Sequence, residues 1–172
     1  GSSSVVAWES SSVVAWGSSS VVAGRWVAVH LWSQRVTLTG DGHVIDMTAL
    51  DLSDPEVWCA YHGIHVDDGR ALLYKAVDSD LRTTSHIPTT YTIGQEVAAT
   101  DWQATAQCGH GLHFSPSPSQ ARSCAVSIVE RYVAVSAAVA DLIPLGDDKC
   151  KAPACVVLHE VDQWGDQIKG AK

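Results

Sequence analysis

The sequence predicts an α+β protein: a short N-terminal β-solenoid of octapeptide repeats, joined to a small mixed-sheet α+β domain with two short helices. Three observations predict it. The opening "GSSSVVAWESSSVVAWGSSSVVAG" says nearly the same eight letters three times, a period too short for a helical repeat. Beyond it, short apolar runs are separated by Gly, Pro, Asp and Thr, as in strand-rich folds. Two segments, "LSDPE" and "SPSPSQA", combine Ser with Pro as helix starts do. The expected division is a repeat segment over 1–40 and a globular domain over 41–172.

The repeat units are 1–8, 9–16 and 17–24. Within each, Ser-Val-Val-Ala is β-branched and small, while Gly or Glu with the neighbouring Ser supplies a corner. Side chains alternate across a strand, so Val5, Ala7, Val13, Ala15, Val21 and Ala23 share an inner face. Val6, Trp8, Val14, Trp16 and Val22 point outward. Two units per coil would stack like side chains about 4.8 Å apart, with Trp8 and Trp16 on opposite outer walls. The register is expected to continue without a gap through 25–32 and 33–40, with Val29 and Leu31 in the places of Val5 and Ala7. A disordered Ser-rich tail is the alternative, and the Val and Trp content argues against it.

The first strand, residues 2–8, carries no Pro, Lys or bulge to blunt its edge. Such an edge recruits a partner. It is expected to be covered by a second copy, giving a homo-oligomer through Val6, Trp8, Val14, Trp16 and Val22, or to continue a longer array. Another protein is the other partner class.

In order along the remaining chain, "TGDGHVIDM" predicts a hairpin, with Asp41-Gly42 as its turn between runs at Val36–Leu38 and Val44–Ile45. "LSDPEVWCAYHGI" predicts a helix over 55–62, with Ser53 as N-cap, Glu56 completing a capping box, Pro55 in the first turn and Gly63 as the stop. "RALLYKAV", "TTYTIGQEV" and "GLHFS" read as strands. A second helix opens with Ser117 as N-cap and Pro118 at its first position. "ERYVAVSAAVA" and "PACVVLHEV" read as two further strands joined by the loop "IPLGDDKCKA".

Composition narrows the function classes. With 11 Lys and Arg against 19 Asp and Glu, the formal charge is -8. That balance opposes a surface built to bind nucleic acid or anionic lipid. No apolar run is long enough to span a membrane, and the start lacks the charged and apolar regions of a signal peptide. Five cysteines with no close CxxC pair favour a reducing compartment over a disulfide framework. The expected setting is a soluble one, a phage particle or the bacterial cytoplasm. No GxGxxG, P-loop, GxSxG or HExxH is present. His62 and His65 flank a helix end, where a cation suits the dipole. Asp67-Asp68 and Asp147-Asp148 read as solvated turn acids.

The stretch from "LLYKAVDSDL" through "YTIGQEV" to "CGHGLHFSPSPSQA", then "RYVAV" and "DDKCKAPACVVLHEV", resembles an uncharacterised domain of phage and actinobacterial proteins. Members similar to this chain often carry octapeptide repeats on the N-terminal side. The resemblance covers about residues 26–162 and is most specific over 108–121. It implies a phage or prophage setting and no activity. His110 stands where similar proteins often have Gly.

Three constellations carry chemistry. Cys108, His110, His113 and Cys124 are four residue types that bind zinc, in an unfamiliar spacing. Cys108 with His113 or His110 could form a nucleophile and base, oriented by Glu160 or Asp101. The order of elements also loosely resembles an ADP-ribosyltransferase. That resemblance implies NAD as substrate, Tyr74 or His113 stacked on nicotinamide and Glu160 polarising the ribose. It departs in having Lys75 where those enzymes have Arg or His. The "TTS" at 83–85 and "TTY" at 89–91 are the nearby matches for a middle-strand motif. The expected function is a non-enzymatic structural, assembly or interaction protein of phage or prophage type. It self-associates through its repeats and uses no cofactor. The NAD-using transferase is the alternative.

Overall fold

The computed structural model describes residues 3–83, 87–125, 129–146 and 148–169. Of the residues singled out above, Gly1, Ser2, Thr84, Ser85 and Asp147 lie outside the described residues. The chain divides into two compact units, Gly1–Asp51 and Leu52–Lys172.

The first unit is all strand. Each Ser-Val-Val-Ala of the repeat forms one: β1 Ser4–Ala7, β2 Ser11–Ala15 and β3 Ser20–Ala23, followed by β4 Val27–Leu31, β5 Thr37–Gly40 and β6 His43–Asp46. They make two separate three-stranded sheets, ordered β1-β3-β5 and β2-β4-β6. All pairings are parallel, with Val5 opposite Val21 and Val13 opposite Val29. Ala15, Val21, Ala23, Val27 and Val29 are buried as a small core. On the outside, Trp16 and Trp32 stack with ring centroids 4.8 Å apart.

Two expectations for this unit are corrected. Asp41-Gly42 does not close a hairpin, because β5 pairs with β3 and β6 with β4. Nor does the register run on without a gap. Leu38, not Thr37, lies opposite Val21, because the pairing that buries the larger apolar side chain is the more stable one.

In the second unit, α1 is Pro55–Tyr61, β7 Val66–Asp67, β8 Arg70–Val77, β9 Arg82–Thr83, β10 Thr89–Thr90, β11 Glu96–Ala98 and β12 Leu112–Phe114. Then come α2 Pro118–Ser123, β13 Arg131–Ala138, β14 Ile143–Pro144, β15 Cys150–Ala152 and β16 Ala154–Val161. A five-stranded antiparallel sheet runs β11-β16-β13-β8-β7, and a smaller one runs β12-β15-β14. Strand alternation divides the large sheet's side chains. Leu73, Val77, Val133, Val135 and Val157 join Trp58, Tyr91 and Phe114 in the main core. Ala76, Tyr132, Ala134 and Val161 cover the other face together with Ala121 of α2.

The expected fold class is overturned. Strands dominate, the described residues hold two α-helices of 7 and 6 residues, and the sheets are several and separate. The protein is mostly β, not a solenoid joined to an α+β domain. Short ladders account for much of the difference. "IPLGDDKCKA", expected as a loop, contributes β14 and β15, and "TTYTIGQEV", expected as one strand, breaks into β10 and β11 around a turn. The cap of α1 is Asp54, whose carboxylate accepts from the backbone N–H groups of Glu56 and Val57 at 2.8 and 3.2 Å. Ser53 is not the cap. Ser117 caps α2 as expected, accepting from the Gln120 N–H at 3.3 Å. Among the described residues, no helix is long and apolar enough to cross a membrane.

Candidate functional site

Three structural devices build a cavity in the second unit. The backbone of Tyr74 bridges to Ser115, so the end of β12 is fastened beside β8. The segment after Trp102 turns sharply through Gly109, His110 and Gly111, all at positive φ, which glycine tolerates and other residues resist. Lys151, buried on β15, donates to the carbonyls of Gln107 and Gly109 at 3.0 and 3.2 Å and lies 5.6 Å from the Trp102 ring centroid. A buried ammonium with two acceptors and an aromatic face is satisfied in place. It pins this segment as one wall.

The cavity measures about 570 Å³ and is lined by Tyr74, Lys75, Asp101, Cys108, His110, His113, Cys124 and Lys149 together with Tyr91 and apolar, serine and threonine residues. Six of the seven residues named for chemistry, Asp101 among them, therefore meet here. Glu160 does not line it. Its carboxylate accepts from Arg131 Nε at 2.7 Å and also pairs with Nη2, and this guanidinium holds the carboxyl below its ordinary range.

The side chains that meet have the following partners. His113 Nε2 accepts from the Gly109 N–H at 3.3 Å, so that lone pair is engaged away from Cys108. Burial pushes His113 down to about 4, reinforced by the ammonium groups of Lys75, Lys149 and Lys151. The imidazole is neutral at neutral pH. Cys108 instead receives Lys149 Nζ at 3.6 Å, and the Cys124 thiol donates to Asp148 at 3.2 Å. His110 Nδ1 pairs with Asp101 at 3.4 Å. Among the described residues, no group of three or more His, Cys, Asp or Glu could hold a metal ion. The Tyr74 phenol lies by Gly165, and Tyr74 packs with the sheet face opposite the main core.

Lys75 and Lys149 are wall residues that motif reading does not place in a site, Lys75 entering it only as a departure from the transferase pattern. Lys75 sits on β8 between Leu73 and Val77, in the stripe that faces the main core. Its Nζ donates to the His113 carbonyl at 2.8 Å and lies 5.9 Å from the Tyr91 ring centroid. Burial pushes its pKa down to about 8, so it remains charged at neutral pH. The signal was present in "RALLYKAV": a charge at a position where alternation demands an apolar residue. His113 and Lys151 are paired across β12 and β15, which brings a third ammonium near His113, behind the lining.

No curated protein and no solved structure matches the chain. Residues 71–168, more than half of the chain and including every residue named in the cavity wall, match a family described as a domain of unknown function, DUF7666. The chain belongs to the DUF7666 family.

Proposed function

We propose that the protein is a non-enzymatic structural or assembly protein of phage or prophage type that self-associates through its N-terminal strands. One comparison carries the reading. Val5 and Val21 occupy the same place in the repeat and lie opposite each other on β1 and β3, yet Val21 is 1% exposed and Val5 39%. Val21 has a strand on each side; Val5 has one on a single side. Among the described residues β1 pairs on one side alone, which leaves its other edge and the apolar side chains around it open to a partner.

A second copy suits that edge because β1 and its neighbour β3 carry the same Ser-Val-Val-Ala. Strands of this sequence already pair with one another within the chain. Under two-fold symmetry the β1 edges of two chains meet antiparallel, with exposed Val6, Trp8, Val14 and Trp16 and half-buried Val22 flanking the seam. The phage or prophage setting rests on the resemblance over residues 108–121. The transferase alternative needs Glu160 in the cavity, and the pairing of Glu160 with Arg131 outside its wall does not favour it.

The test is light scattering on the whole chain at tens of micromolar, beside a Val6→Lys, Val14→Lys double variant. Both positions are exposed, so the lysines burden the edge and not the core. The wild-type chain is expected to exceed the mass of one copy, and the variant to run as one copy with unchanged circular dichroism. A monomeric wild-type chain would sink the reading.

A further inference from the structure

The cavity concentrates positive charge in a protein whose net charge is -8. Lys75 and Lys149 both line it, and among the described residues neither has a carboxylate within ion-pair distance. Lys75 spends one of its three donors on the His113 carbonyl; Lys149 rests on the Cys108 sulfur, a weak acceptor. Asp101, the acid in the lining, is taken by His110. Lys151 has a complete structural explanation, with two carbonyls and a Trp face. Lys75 has a smaller share of this, one carbonyl and the Tyr91 face at 5.9 Å, and Lys149 has a sulfur.

A lysine placed in a core stripe is costly unless something answers its charge, and a carbonyl answers it only in part. An anion from outside the chain would complete the answer. Its class follows from the donors. Among the described residues the lining holds two ammonium groups and no Arg; ammonium groups bind phosphate as point charges, and the charge of a phosphate monoester, about -2, matches two of them better than a single carboxylate does. Its size follows from the space. About 570 Å³ falls within the range of roughly 300–1,000 Å³ typical of pockets that enclose small organic ligands. Ile87, Pro88 and Leu112 in the lining offer apolar surface for an organic portion.

We propose that this cavity binds a small phosphorylated organic molecule, with its phosphate held by the ammonium groups of Lys75 and Lys149.

The experiment is calorimetric titration of the whole chain with phenyl phosphate, inorganic phosphate, benzoate and phenol, with thermal unfolding measured in parallel. Saturable binding is expected in the order phenyl phosphate, then inorganic phosphate, then benzoate, with phenol not detectable, and a rise in Tm that follows the same order. Lys149→Met should weaken phenyl phosphate binding about tenfold or more, and Lys75→Met should do the same. Lys169→Met, at an exposed position outside the lining, should leave it unchanged. If Lys75→Met does not fold, Lys149→Met decides the matter. Absence of phosphate binding to the wild-type chain overturns the proposal. So does binding that survives Lys149→Met, or benzoate binding as tight as phenyl phosphate.

Discussion

Glu160 illustrates how one side chain reads differently once its partner is known. A late-strand acid invites a catalytic role, but its two oxygens are occupied by Arg131 across the β13–β16 pair. The arrangement is structural. Arg131 lowers the Glu160 carboxyl, with burial opposing. The pair's contribution is therefore fully present above the ordinary carboxyl value, about 4.5, and is lost as pH falls through the lower folded value. Glu160→Gln is expected to cost about 1–3 kcal/mol at pH 7, since it strips the charge from the buried partner of a hydrogen-bonded pair whose Arg131 is partly exposed. The difference from wild type should shrink in strong acid, where the wild-type carboxyl is also protonated. Urea unfolding at neutral pH and at about pH 3 checks both limbs. A constant difference across that range would mean that the loss comes from packing and not from the charge. Phenyl phosphate affinity should not change, because Glu160 is outside the cavity wall.

Among the elements, the turn between β5 and β6 is the most constrained. Gly40 has φ +99, and a Cβ there would stand 2.2 Å from the Ala23 carbonyl oxygen, whereas Gly17, at φ +59, has open space around it. Alanine at position 17 meets only the left-handed backbone penalty, on the order of 1 kcal/mol. At position 40 it must also displace the backbone of the neighbouring strand, and a loss of about 3 kcal/mol or more is expected. Denaturant unfolding of the two variants separates these terms, and equal losses would remove the close-approach explanation. This turn also shows what could be read in advance. The repeat strands were legible, because their period and β-branched content are local properties. The Asp41-Gly42 signal was equally local but announces only a change of direction; that β5 and β6 join separate sheets depends on pairing with Ala23 and Leu31, more than a dozen residues back. Asp54 and Ser53 are both competent caps one residue apart, and the choice rests on backbone geometry. The gathering of Cys108, His113 and Cys124 was partly legible, since "CGHGLH" and the α2 start are close in sequence. Lys149 joins them through the β14–β15 strands, whose few residues gave no periodic signal.

At the scale of the whole molecule, two interactions with opposite electrostatics are expected in one chain. Self-association joins two bodies that each carry a charge of -8 through edge strands of Ser, Val and Ala, with no charged side chain in β1 or β2. Glu9, at the turn between them and exposed, adds like charge close to the seam. Salt screens this repulsion, because the Debye length falls from about 10 Å at 0.1 M to about 3 Å at 1 M, while the backbone and apolar contacts of the edge are little affected. The phosphate site works in the other direction: its attraction is between opposite charges, and chloride competes for the same ammonium groups. Raising NaCl from about 0.05 to 0.5 M should thus tighten self-association a few-fold and weaken phenyl phosphate binding by about tenfold. Sedimentation equilibrium and calorimetry in the same two buffers measure both. If the two weaken together, the contact between copies is held by charge, and the β1 edge is not the surface that forms it.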